Sequence, residues 1–164
     1  MAKLIVTIVA WGLCILGAVM VQWFPQFAFL VPVFFISIGM LGWATVKQKR
    51  GDIAPKNAPK LFQLLSALGL IGGVALLLHC LWVQGNGGGA EVVDGVFYLT
   101  RKGHLLHEIT GEEYRALMRA EFRWFFGIGI VAGSIALNLW AADYWWYGPS
   151  IFNTRVREFF KFHK

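Results

Sequence analysis

Residues 4–46, LIVTIVAWGLCILGAVMVQWFPQFAFLVPVFFISIGMLGWATV, run from Leu4 to Val46 without one charged side chain. A helix needs about 20 apolar residues to cross about 30 Å of hydrocarbon, so this run is two crossings long. Proline at position 25 disfavours a helical residue before it, which predicts that the chain reverses near Phe24-Pro25-Gln26 instead of continuing as one overlong helix. Lys3 ahead of the run resembles the start of a secretory signal, but the apolar stretch is too long for one and no small-x-small cleavage pattern ends it, so the first segment is expected to stay attached.

Two further apolar segments follow. The sequence predicts an all-α membrane protein with four transmembrane helices, spanning residues 4–23, 27–46, 61–83 and 124–142. Residues 84–123 form an insert on the far side of the membrane, between the third and fourth spans, and residues 143–164 form an amphipathic cytoplasmic tail. Hydrophobic residues make up 57% of the chain and charged ones only 15%, with a mean hydropathy of +0.59, which leaves too little polar surface to cover a soluble core. The net charge of +6 comes from residues clustered at the ends of the apolar runs, with no basic stripe interleaved with aromatics, so nucleic acid is not the expected partner.

Charge sets the expected orientation, because lysine and arginine in short loops are retained in the cytoplasm. The loop after the second span carries Lys47, Lys49, Arg50, Lys56 and Lys60, and the tail carries Arg155, Arg157, Lys161 and Lys164. The turn at Pro25 is uncharged, and in the insert six acids accompany five bases. Both ends are therefore expected in the cytoplasm, in a bacterial inner membrane. Trp23, Trp82 and Trp124 fall at the outer ends of spans, and Trp43, Trp140, Trp145 and Trp146 at the inner ends, where amphipathic rings anchor at the headgroups. Trp11 alone lies deep in a span.

Within a bilayer, small residues let helices approach closely. Gly69 and Gly73 form such a pair in the third span and Gly129 and Gly133 another in the fourth, which predicts contact between these two helices; Ala10, Cys14 and Ala18 make a similar stripe in the first. In the insert, Gly85 to Gly89 reads as a flexible tether lacking the lysine of a phosphate loop. Val96–Thr100 and Leu105–Ile109 then flank Arg101-Lys102-Gly103-His104 as a β-hairpin, with Gly103 supplying a positive φ. Thr110 and Glu113 have the spacing of a capping box, and no proline follows before the fourth span, so one helix should begin near Gly111 and run into the membrane.

Few residues suggest chemistry. His79 and Asn138 are the main polar groups within spans, near opposite ends, too far apart to act together. A lone spanning histidine does not meet the two-ligand requirement of a transmembrane haem. Cys14 and Cys80 are solitary, and in a regular strand His104 and His107 face opposite ways, so no cofactor or metal is expected. The reading that remains is a small non-enzymatic protein, an accessory subunit of a membrane complex or an immunity-type factor, that binds another membrane or extracytoplasmic protein through Tyr114, Arg115, Leu117, Met118 and Arg119. The aromatic run Asp143 to Tyr147 is a headgroup anchor in this reading, with docking of a cytoplasmic partner as its other use. The alternatives are a quinone- or lipid-linked enzyme subunit, for which His79, Trp82 and Arg123 near one surface are the handle, and a transporter component.

Overall fold

The computed structural model describes residues 2–50, 58–84, 88–101 and 104–147. Four helices make up most of it: α1 (Ala2–Met20), α2 (Pro32–Lys49), α3 (Lys60–Gln84) and α4 (Gly111–Tyr147). A 3-10 turn, Pro25–Leu30, joins α1 to α2, and a sheet of β1 (Gly89–Val93), β2 (Val96–Arg101) and β3 (His104–Glu108) joins α3 to α4. All four helices are long and apolar enough to cross a membrane. The second begins later than position 27, because Pro32, a residue suited to the first helical turn, starts the α-helix.

Contacts fix the helix directions. Along α1, Gly17 meets Phe126, Cys14 meets Gly129 and Trp11 meets Gly133, so numbers fall on one helix as they rise on the other. Gly69 against Ser134 and Gly73 against Gly127, Ile130 and Val131 give α3 the same antiparallel relation to α4. Phe34 at Gly129 and Trp43 edge-on to Trp140 make α2 parallel to it. The chain therefore runs up, down, up, down, with the sheet at one end and both described chain ends at the other.

α4 is the hub. In its most apolar 18-residue stretch 67% of residues are buried, against 11% for α3, whose Leu61, Leu68, Ile71, Leu78 and Trp82 all point outward. Two buried clusters flank the hub. Cys14, Ala18, Val21, Phe34, Phe126 and Ile130 pack toward the sheet end, and Leu4, Met40, Ala44, Ala136, Leu137 and Trp140 toward the other.

The two glycine pairs do not face one another. Gly69 and Gly73 do lie against α4, but at Gly127, Val131 and Ser134, while Gly129 and Gly133 turn to Cys14, Phe34 and Trp11 of α1 and α2. A helix with three neighbours spends its small residues on different sides, and the spacing within a pair does not say which side. Trp140 lies at the end of the bundle opposite the sheet but does not face outward there. It is 2% exposed, packed edge-on to Trp43 at 5.6 Å, and Lys3 Nζ lies 4.7 Å from the Trp43 ring and 4.9 Å from that of Trp140. The lysine charge sits over two aromatic faces, a favourable arrangement, so the indole is part of the core.

Gly72 and Gly73 separate packing from helix propensity, since they are adjacent. A Cβ on Gly73 would lie 2.8 Å from Val131 Cγ2 and 3.3 Å from the Gly127 carbonyl oxygen, whereas one on Gly72 meets nothing within 4 Å. Gly73→Leu, and likewise Gly133→Leu beside Trp11, should therefore destabilise the detergent-solubilised protein by about 1–3 kcal/mol relative to Gly72→Leu. Equal unfolding midpoints for the three variants would remove the close-packing account.

Candidate functional site

The insert has three strands, not two. Val96–Arg101 and His104–Glu108 pair as the sequence suggests, and Gly89–Val93 adds a strand on the other side of β2. Gly89 thus belongs to a strand instead of a tether, and Gly88 donates its N–H to the Gln84 carbonyl at 3.1 Å, so the sheet starts close to the end of α3. Asp94 and Gly95, at φ 52° and 82°, make the two-residue turn between β1 and β2. Aspartate followed by glycine between apolar residues is the signal that marks this strand in the sequence. The expectation for Gly103 lies outside the described residues.

The sheet leans on the start of α4. Phe97 packs on Tyr114 with ring centroids 4.6 Å apart, and the Ile109 N–H donates to the Phe97 carbonyl at 2.9 Å. The helix start is a reciprocal cap: the Thr110 N–H and hydroxyl donate to Glu113 Oε2 at 2.8 and 2.9 Å, and the Thr110 Oγ1 accepts the Glu113 N–H at 3.2 Å. The Thr110 N–H, then the Thr110 hydroxyl, hold the Glu113 carboxyl below its ordinary range, with His107 adding a smaller push the same way.

A bulge changes the face of β3. The register pairs Arg101 with His104, Thr100 with Leu105 and Leu99 with His107, leaving Leu106 as the extra residue. Arg101 and Leu99 share a face, so His104 and His107 share one too, contrary to the alternation of a regular strand. Among the described residues, no group of three or more histidine, cysteine or acidic side chains is arranged to hold a metal ion.

Of the five residues assigned to partner binding, Arg115 is exposed, Leu117, Met118 and Arg119 are half-buried, and Tyr114 turns its ring onto Phe97. Tyr114 is thus a foundation for the sheet. Every residue of β3 is exposed, Leu105 at 49% and Leu106 at 53%. β3 is also an edge strand, since the sheet order is β1-β2-β3.

Within the helices, His79 is exposed beside Trp82, and Asn138 is half-buried one turn beyond Ser134. Ser66 bonds to Ser134, and the thirteen residues from 66 to 79 put His79 about 20 Å further along the bundle, so the two are not brought together. A different polar set does converge. Trp11 Nε1 donates to Ser134 Oγ at 3.0 Å, the Ser134 hydroxyl donates to the Ile130 carbonyl at 2.7 Å, and the Ser66 hydroxyl donates to the Ser134 carbonyl at 2.7 Å. These bonds tie α1 and α3 to α4 and leave no reactive group free. Sequence reading missed the set, since nothing local links serines and a tryptophan so far apart. Cys14 and Cys80 are both buried and free. The first five residues of the expected tail, 143–147, continue α4, with Asp143 and Tyr144 half-buried, and the rest of the tail, from 148, lies outside the described residues.

Comparison with protein-family models, with curated proteins and with solved structures finds no match. The site is read from its own geometry.

Proposed function

We propose that this chain is a multi-pass protein of the bacterial inner membrane, with both ends in the cytoplasm and the sheet outside. On this reading it catalyses no reaction and binds a protein partner through the insert, as an accessory subunit or an immunity-type factor. The outward apolar side chains of α3 support residence in lipid. Lys3, Lys47, Lys49, Arg50 and Lys60 gather at the end opposite the sheet, which supports the orientation.

The observation that carries the partner reading is β3. A fully exposed edge strand offers a row of backbone donors and acceptors, and soluble surfaces usually blunt such an edge with charge or cover it. Here its only charged residue is Glu108, at the end of the strand, and its middle carries the exposed Leu105 and Leu106. An extended segment of a partner can add as a fourth strand, with main-chain bonds supplying affinity and the two leucines supplying apolar contact. Arg115, exposed on α4, and Arg119, half-buried there, remain candidates for further hydrogen bonds to the partner from the helix that supports the sheet.

For orientation, a periplasmic-activity reporter inserted near Gly88 should be active and one fused after Lys164 inactive; the reverse pattern overturns it. For the partner, the tagged chain is purified in mild detergent and what accompanies it is measured by mass spectrometry. Leu105→Lys with Leu106→Lys should reduce the captured partner by at least about tenfold, as loss of a hot spot does, while Gly39→Leu, on an open face of α2, leaves it unchanged. Full retention by a leucine variant that still inserts and folds would remove β3 as the binding surface.

A further inference from the structure

Between α1 and α3 lies a lateral groove of about 530 Å³, floored by α4. Ile15 and Val19 form one wall, Leu68 and Leu76 the other, and the Trp11 indole closes the deep end, where Ser134 holds it. The mouth, toward the sheet, is bounded by Gln22 and Arg123. Eleven residues separate Trp11 from Gln22, about 16 Å of helix.

Arg123 is poorly satisfied there. Its Nη1 donates to Gln22 Oε1 at 3.1 Å, a neutral acceptor, and its buried Nε has no hydrogen-bond partner. A guanidinium offers five donors in a fixed fork suited to a phosphate, and a buried donor on a charged group is costly to leave unmet. The positive charge at the mouth asks for an anion, and the apolar groove running away from it asks for hydrocarbon.

We propose that the groove holds one acyl chain of an anionic phospholipid, with its phosphate on Arg123 and the chain reaching toward Trp11. A rotation of the guanidinium away from Gln22 presents Nε and an Nη together to the phosphate. The site goes beyond the partner surface on β3 and rests only on the bilayer residence proposed above. An anionic lipid there would lock α1 to α3 at the end of the bundle that carries the sheet.

The full-length chain, purified in mild detergent, is examined by native mass spectrometry with added phosphatidylglycerol or phosphatidylcholine. One phosphatidylglycerol should be retained per chain in preference to phosphatidylcholine, by about tenfold, because the choline cation of the latter already neutralises its phosphate and is repelled by the Arg123 guanidinium, whereas phosphatidylglycerol brings a net negative charge. Arg123→Gln should erase the preference. Gly72→Phe should block retention of either lipid, because Gly72 lines the groove and a Cβ there meets nothing within 4 Å, so the ring can enter the groove without a backbone clash at its root. Gly39→Leu, outside the groove, should behave as wild type. Equal retention of the two lipids by the wild-type chain, or unchanged binding in both Arg123→Gln and Gly72→Phe, would overturn the proposal.

Discussion

Close approach of three helices to α4 is the constraint on which the rest of this structure depends. Apolar side chains gain little by leaving lipid for one another, so on the membrane reading helix contact relies on dense packing and a few interhelical hydrogen bonds. α4 meets this with glycines aimed in different directions: Gly127 at Leu77 of α3, Gly129 at Cys14 and Phe34, and Gly133 at Trp11. Trp11 reaches across from α1 into the space these glycines leave, bonds to Ser134, and lies against Gly69 of α3. Each interhelical bond of this kind contributes only about 0.6 kcal/mol, so the fit around Trp11 matters more than the bonds themselves.

The same helix carries the sheet. α4 has 37 residues, about 55 Å, which exceeds a hydrocarbon core of about 30 Å and leaves its first turns to form a platform. Phe97 stacks on Tyr114 and the Thr110–Glu113 cap fixes where the helix starts, so the orientation of β3 is set by an element that is also the core of the bundle. A small sheet of this kind is marginal alone and is stabilised by that contact. Arg123 lies on the same helix between the sheet and the glycine face.

Much of this was legible in the sequence. Uncharged runs of sufficient length mark the four helices, Thr110 and Glu113 mark the start of α4, and the absence of proline marks its continuity. What escaped depended on tertiary choices. The glycine spacing in α3 and α4 is real, yet which neighbour each glycine faces is decided by the arrangement of the whole bundle. The β1 strand was hidden by the glycine run before it, although Asp94-Gly95 announces its turn. The bulge at Leu106 shifts the phase of β3 by one residue, which brings His104 and His107 to one face. The burial of Trp140 is likewise a tertiary matter, since Lys3 and Trp43 close over it at the end of the bundle. The groove beside Arg123 has no sequence signature, being the gap between α1 and α3.

The arrangement of α1 against α4 can be tested with the cysteine already present. A Cβ at position 129 would lie 2.6 Å from Cys14 Sγ, within reach of a disulfide once the sulfurs adjust and α2 gives by a few tenths of an ångström at Phe34, whose Cα would lie 3.2 Å away. Mild oxidation of Gly129→Cys in membranes should therefore give an intrachain bond to Cys14, read as a linked pair of fragments after non-reducing cleavage, and Cys14→Ala in the same background should abolish it. A Gly129→Cys chain that stays reduced, or that pairs with Cys80 instead, would contradict a bundle built around α4.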